Sequence, residues 1–198
     1  MPQTPSGVTT AIVTDNNDPD GLCRVRVRYA GQDASQPVHW ARLAMPMAGV
    51  RRGVVMIPEV GDEVLVAFDR GDARLPYVVG ALWNASAPPP EANRSGRNER
   101  RVIQTRSGHR LAFDDGTPGS VELAAHDGRK IVMDERGVSV QDAHGNHVRI
   151  DGASGAIEIA TAGRLTIKAN EVAVEATAGM ELKAGGVLTL RGTLININ

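Results

Sequence analysis

Residues 157–174 read IEIATAGRLTIKANEVAV. This stretch contains three pairs of apolar residues, and a single residue separates the two members of each pair. Residues two apart lie on the same face of a strand. The pairs recur about every eight residues, which is room for one short strand and one turn. The stretch therefore predicts a stack of short strands that each direct two side chains toward a common core.

The same spacing extends over residues 131–197. Nine pairs begin there about every eight residues, and glycine, aspartate and asparagine stand between them, as short turns require. The sequence lacks the longer period of about 24 residues that a single-chain solenoid with three strands per coil needs. The residues predicted to face the core are Ile131, Met133, Val138, Val140, Val148, Ile150, Ile157, Ile159, Leu165, Ile167, Val172, Val174, Met180, Leu182, Leu188, Leu190, Ile195 and Ile197.

A stack of such strands in one chain leaves its apolar face open to water. Three identical chains around a common axis, each contributing one strand per layer, cover that face for one another. The pattern therefore predicts a homotrimeric β-helix. With layers about 4.8 Å apart, nine or ten of them make a rod on the order of 45 Å long.

Residues 7–84 also read as short strands and turns, without the 3.6-residue period of a helix. In residues 23–29 valines alternate with Arg24, Arg26 and Arg28, so we expect a buried thiol at Cys23 and a solvated or protein-docking arginine face. Five or six strands in about 80 residues indicate a small closed barrel. The individual strands are predicted at 23–29, 38–44, 54–57, 63–69 and 77–82.

Residues 85–101 lack this alternation. They begin with ASAPPPE and continue as a polar run, which predicts an extended linker. We therefore expect an all-β chain in three parts: a barrel over residues 1–84, the linker, and a needle over residues 102–198.

Composition and charge narrow the function. The 198 residues carry a formal net charge of -1 and 3% aromatic residues. A net charge this close to zero produces no overall electrostatic attraction to nucleic acid or an anionic membrane. The scarcity of aromatic residues favours a narrow, repetitive interior. Neither a signal peptide nor an apolar run long enough to cross a bilayer is found. We expect a protein that is made in the cytoplasm and stays there unless a machine moves it, without a nucleic-acid partner.

The histidines do not form a convincing metal site in the sequence. His144 and His147 make an H-x-x-H pattern, but it spans a turn, and strand parity directs His147 away from the core. His39, His109 and His126 have no cysteine or histidine neighbour in sequence, so each is expected to be solvated or locally hydrogen bonded.

The acidic residues do not form a convincing catalytic site. Glu59, Asp62 and Glu63 flank a turn in a barrel that has no room for a substrate cleft. A β-helical enzyme acting on polysaccharide would need a coil-length repeat in place of the eight-residue period. We predict no catalytic, cofactor-binding or metal-binding residues, no cofactor, and a structural role.

Three segments resemble a known family. Residues 53–68 read GVVMIPEVGDEVLVAF and residues 76–84 read PYVVGALWN, and both are similar to the barrel of VgrG and gpV-type spike proteins. Residues 106–115, RSGHRLAFDD, resemble the segment through which those proteins enter their needle. The resemblance implies an oligosaccharide/oligonucleotide-binding (OB) barrel used as a docking collar and an intertwined trimeric β-helix. It implies the central spike of a bacterial contractile phage tail, tailocin or type VI machine.

The resemblance also implies partners. VgrG chains generally carry hub domains ahead of the barrel, and about seven residues precede it here, so we expect docking on a separate hub or baseplate protein. The pattern of apolar pairs continues to the last residue and lacks the iron-binding His-x-His with which some gpV-type needles end. We therefore expect a PAAR-type tip protein at this end, which the spike carries into the target-cell membrane. A trimeric receptor-binding fibre or adhesin is the alternative. The expected tip-docking residues are Leu194, Ile195, Asn196, Ile197 and Asn198.

Overall fold

A computed structural model describes residues 7–32 and 38–197. The described residues contain strands, turns and a single 3-10 turn at Asp69–Gly71, which confirms the all-β prediction. No helix among them is long and apolar enough to cross a membrane. The strands are β1 Val8–Asp15, β2 Val25–Tyr29, β3 His39–Leu43, β4 Ala48–Gly49, β5 Arg52–Gly53, β6 Glu63–Phe68, β7 Pro76–Leu82, β8 Arg100–Gln104, β9 Arg110–Asp114, β10 Ser120–Ala124, β11 Lys130–Asp134, β12 Gly137–Gln141, β13 His147–Asp151 and β14 Ile157–Ala160.

Five strands close into a barrel in the order β1-β2-β3-β7-β6. All neighbours are antiparallel except β3 and β7, which run parallel. The largest side chains that are fully buried are all valines, because alternation along each strand directs every second residue inward and a five-stranded barrel has a narrow interior. They are Val13, Val25, Val27, Val64 and Val66.

The prediction of a buried thiol at Cys23 is wrong. Cys23 is exposed and has a φ of 57°, and β2 begins two residues later at Val25. The turn before β2 is longer than the alternating sequence pattern predicts, because hydrogen bonds to the Asp18 side chain stabilise it. Its carboxylate accepts hydrogen bonds from the backbone N–H groups of Leu22 and Arg24 and from the Arg24 guanidinium, at 2.7–3.1 Å.

The predicted strand at 54–57 is also wrong. The paired backbone lies earlier, where β4 and β5 form a two-stranded ribbon. Val54 is tied to it by a hydrogen bond from its N–H to the carbonyl of Met47 at 3.0 Å. The apolar run that suggested a strand instead leaves Val55 and Met56 exposed.

Strands β8 to β14 form one antiparallel sheet in which each strand pairs with its neighbours in sequence. Along one side, the turns at 105–109, 125–129 and 142–146 share one construction. The N–H of the first residue donates to the carbonyl of the fifth, at 2.8–3.0 Å, and the fourth residue is a glycine with φ of 87–89°. Aspartates accept backbone N–H groups in the later turns, so backbone groups at the side of the sheet find partners locally.

The segment between β7 and β8 folds back on the sheet. Glu91 pairs with Arg100 at 3.2 Å and with Arg110 at 3.4 Å. The barrel contacts the sheet through Glu59, which lies 3.1 Å from Arg106 in the β8–β9 turn. These ion pairs are partly exposed, so each contributes only about 0–1 kcal/mol to stability. They orient the segments that they connect but add little to the strength of the contact.

We expect Gly137→Ala to destabilise the sheet far more than Gly145→Ala. Both glycines have a positive φ, 125° and 87°, which costs an alanine about 1 kcal/mol per chain. A Cβ on Gly137 would also lie 2.0 Å from the carbonyl oxygen of Ile150, whereas one on Gly145 meets no atom within 4 Å. Denaturant unfolding should show a loss of about 3 kcal/mol or more for the first variant. Equal losses would contradict this register.

The stability of the barrel should fall in acid. The hydrogen bonds from Arg24 hold the pKa of Asp18 well below its ordinary value of about 3.9. A depressed carboxylate pKa contributes stability that is present above that ordinary value and is lost as the pH falls toward the folded value. The thermal midpoint should therefore drop between about pH 5 and pH 2, and Asp18→Asn should flatten this dependence while lowering the midpoint at pH 7. An unchanged pH profile in the variant would contradict the assigned role.

Candidate functional site

The register of β11 to β14 aligns the predicted apolar pairs into two columns on one face of the sheet. The polar and charged residues between the pair members, such as Ser139, Arg149 and Glu158, lie on the other face. One column contains Ile131, Val140, Val148 and Ile159, and the other contains Met133, Val138, Ile150 and Ile157. We call this surface the apolar face.

The apolar face is uncovered in the single chain. Its eight column residues keep between 37% and 69% of their surface exposed. Fully burying such a side chain stabilises by about 1.5–3 kcal/mol, so covering the remaining half contributes about 1 kcal/mol for each. The eight together outweigh any exposed ion pair of the chain, and a contiguous apolar strip of this kind marks an association surface.

The pairs predicted from the sequence begin at Ile131, but both columns already run through β9 and β10, and one of them also through β8, where Arg101 lies in the other. Leu111 and Phe113, and Val121 and Leu123, have the same one-residue spacing as the later pairs. That signal was available in the sequence, but longer turns make the repeat there less regular. The column residues added by these strands are Ile103, Leu111, Phe113, Val121 and Leu123.

The later predicted pairs lie in residues 161–197, where the structure assigns no strand. Their side chains are between 49% and 86% exposed. Backbone groups of a strand stack need hydrogen-bond partners, and for this stretch the described residues of the same chain supply none in a sheet. These pairs are Leu165/Ile167, Val172/Val174, Met180/Leu182, Leu188/Leu190 and Ile195/Ile197; the predicted tip residue Asn198 lies outside the described residues.

The histidines take local roles. The Nδ1–H of His147 donates a 2.9 Å hydrogen bond to the Gly145 carbonyl, which raises the pKa of His147, and the His147 ring lies 3.5 Å from Glu158. His109 and His126, which have no cysteine or histidine neighbour in sequence, meet edge to face with ring centroids 4.9 Å apart. No group of three potential metal ligands occurs among the described residues.

The arginine row of β2 is more strongly held than a solvated face. Arg24 pairs with Asp18 at 2.7 Å and with Asp20 at 2.5 Å. Arg26 lies over the ring of Trp40, 4.7 Å from its centroid, where cation–π attraction restrains it. Arg28 remains exposed.

The acidic residues of the barrel serve local structure. Asp62 accepts the N–H of Glu59 at 2.8 Å, and Glu63 accepts the side-chain amide of Asn84 at 2.7 Å. Glu59 itself pairs with the sheet through Arg106, as described above.

Two family matches cover the two parts of the chain. Residues 9–83 match the type VI secretion system/phage-baseplate injector OB domain. Residues 100–154 match the phage baseplate V C-terminal trimerisation domain. The second match covers β8 to β13, which carry most of the apolar face.

Curated relatives include three spike proteins of the type VI secretion system. VgrG4b of Pseudomonas aeruginosa is 35% identical over 129 residues, which are 61% of this chain and 15% of that protein. VgrG1a of the same species is 31% identical over 117 residues, covering 50% of this chain and 18% of that protein. VgrG3 of Vibrio cholerae is 30% identical over 116 residues, covering 54% and 11%.

The chain thus spans less than a fifth of the length of these relatives. With an injector OB domain followed by a trimerisation domain, the chain belongs to the phage baseplate V family of VgrG and gpV-type spike proteins.

Proposed function

We propose that this chain is the structural central spike of a contractile injection machine, and that three copies form its needle. The observation that carries the proposal is the uncovered apolar face in a domain whose family trimerises. A single sheet with two columns of half-exposed aliphatic side chains is complete only when further copies cover it. The family match favours a spike over the receptor-binding fibre that the sequence left open.

The architecture suits a mechanical role. Successive strands of the sheet stack along one direction, so their hydrogen bonds run along the needle axis, and seven strands span about 30 Å. Compressing such a stack opposes every hydrogen bond and every apolar contact in the columns. We propose that residues 161–197 extend the needle in intertwined form, with strand partners from the other two chains. The intertwined needle would then resist bending and transmit force from the machine along its axis to the target envelope.

We propose that the three parts differ in role. Residues 1–84 form the OB barrel, which serves as the collar and docks on a hub or baseplate protein. Residues 85–101 link it to the needle at 102–198. The barrel supports this assignment because its surface is not repetitive: Trp40, Arg26 and the exposed Val50, Val55 and Met56 give a neighbouring protein distinct features to bind.

We further propose that the distal residues dock a PAAR-type tip protein. Leu194, Ile195 and Ile197 are 76%, 49% and 86% exposed, and their apolar surface is available to a cap. A capped spike is expected at the tip of the tail or baseplate, where it enters the target-cell membrane mechanically.

Val140→Asp should prevent trimer formation or weaken it strongly, because three carboxylates would meet at one level of a dry axis, at about 3 kcal/mol or more for each ion. Ser139→Asp is the matched control, since it places the same residue on the opposite face of the same strand. Light scattering and resistance to denaturing detergent measure the trimer. A wild-type protein that is a folded monomer at micromolar concentration would refute the proposed needle.

Ile195→Asp combined with Ile197→Asp should abolish binding of a PAAR-type protein while leaving a trimer. Charges would replace the exposed apolar surface at the level where the cap is proposed to sit. Asn196→Asp, which adds a charge between them at a polar position, is the control and should retain binding. Co-purification of the two proteins measures the effect, and equal binding by all variants would exclude this docking site.

A further inference from the structure

The two sides of the C-terminal sheet differ in charge. Strands β9, β11 and β13 each begin with a basic residue or histidine and end, four residues later, with an aspartate. Because these strands run in the same direction, the basic ends lie on one side of the sheet and the aspartates on the other. The pairs are Arg110 and Asp114, Lys130 and Asp134, and His147 and Asp151.

The turns strengthen this asymmetry. On the first side, the turns and flanking strand ends carry five cations against two carboxylates, and we call this side the cationic edge. On the second side they carry five carboxylates against two cations, and we call it the acidic edge. The cationic edge has Arg106, Arg110, Arg129, Lys130 and Arg164 with Asp127 and Asp142, and the acidic edge has Asp114, Asp115, Asp134, Glu135 and Asp151 with Arg100 and Arg136.

The cationic edge is a continuous ridge. A Cβ placed on Gly108 would lie 3.6 Å from the Cβ of His126, and one on Gly128 would lie 3.6 Å from the Cβ of Ala143. Each turn therefore lies close beside the next. The acidic edge is joined in the same way by the hydrogen bond from the N–H of Gly152 to the carbonyl of Arg136, at 2.8 Å.

Ion pairs within the chain neutralise part of each edge. On the cationic edge, Arg106, Arg110 and Arg129 pair with Glu59, Glu91 and Asp127, respectively. On the acidic edge, Asp114, Asp115, Asp134 and Asp151 pair with Arg100, Arg101, Arg136 and Arg149, respectively. Among the described residues, Lys130 and Arg164 on the cationic edge and Glu135 on the acidic edge have no ion-pair partner. The unpaired charges therefore have opposite signs on the two edges.

We infer that the cationic edge of each chain contacts the acidic edge of the next chain, so that three charged seams hold the needle's chains parallel. This inference rests on the proposed trimer. Around a common axis, identical sheets that point the same way bring unlike edges together. Sheets packed in opposite directions bring cationic edge to cationic edge, and like charges oppose that arrangement. The apolar face alone does not favour parallel chains over oppositely directed chains, because its columns present similar apolar side chains in either direction.

A charge swap on β11 tests the seam. Lys130 and Glu135 lie at opposite ends of this strand, about 17 Å apart, beyond the Debye length of about 10 Å at 0.1 M salt. They therefore interact little within one chain, and neither has an ion pair to lose. Lys130→Glu and Glu135→Lys should each lower the temperature of trimer dissociation by about 3 °C at this salt concentration. The variant that combines both should recover most of the loss, and at about 1 M salt the differences should shrink.

Arg52→Glu on the barrel ribbon is the control, because it reverses an exposed charge away from the sheet and should leave the dissociation temperature unchanged. Two results would overturn the inference: single reversals with wild-type stability, or a combined variant at least as unstable as the two single losses added together. Either result would leave the trimer itself intact. A wild-type monomer would instead refute the proposed function.

Discussion

The structure depends on an apolar face that the chain builds but does not cover. In β8 to β14, alternation places aliphatic side chains in two columns on one side of the sheet, and each column residue of β11 to β14 keeps more than a third of its surface in water. The associated free energy, about 1 kcal/mol per side chain, is recovered only on association. This constraint explains why the chain has a conventional buried core in the barrel and almost none beyond it: in the C-terminal sheet, Ala112 is the single fully buried apolar residue among those described.

The turns make this exposed sheet possible. A sheet without a core of its own has to keep its register by local means, and here glycines at positive φ and aspartates that accept backbone N–H groups do so at successive levels. Gly137 shows how tight the arrangement is, since it lies against the carbonyl of Ile150 with no space for a side chain. The same turns carry the charges of the two edges. The elements that set the register thus also carry the charged groups for which we infer interchain contacts.

The barrel solves the opposite problem. Its five strands close on themselves and bury five valines almost completely, so among the described residues these five strands leave no open sheet edge. Its outer surface is therefore free to differ from the repeat, with Arg26 over Trp40 and an exposed ribbon of β4 and β5. The barrel and the sheet are thus two units of different construction, and the Glu59–Arg106 ion pair connects them, while Glu91 ties the intervening segment to the sheet.

The all-β class and the barrel were predictable from the sequence, because strand alternation is a local property that survives in any β context. The inward direction of the residues from Ile131 onward stays a prediction. The domain limits and the tip-docking residues remain predictions.

Other features were not predictable because they depend on contacts between distant residues. Asp18 captures Arg24 and lengthens a turn, so Cys23 is exposed although it alternates with valines. The carbonyl of Met47 accepts the N–H of Val54, and the apolar run that begins there forms a loop instead of a strand. His109 and His126 meet only because two turns stack. The opposite charge of the two sheet edges likewise appears only when antiparallel pairing gathers alternate turns on the same side.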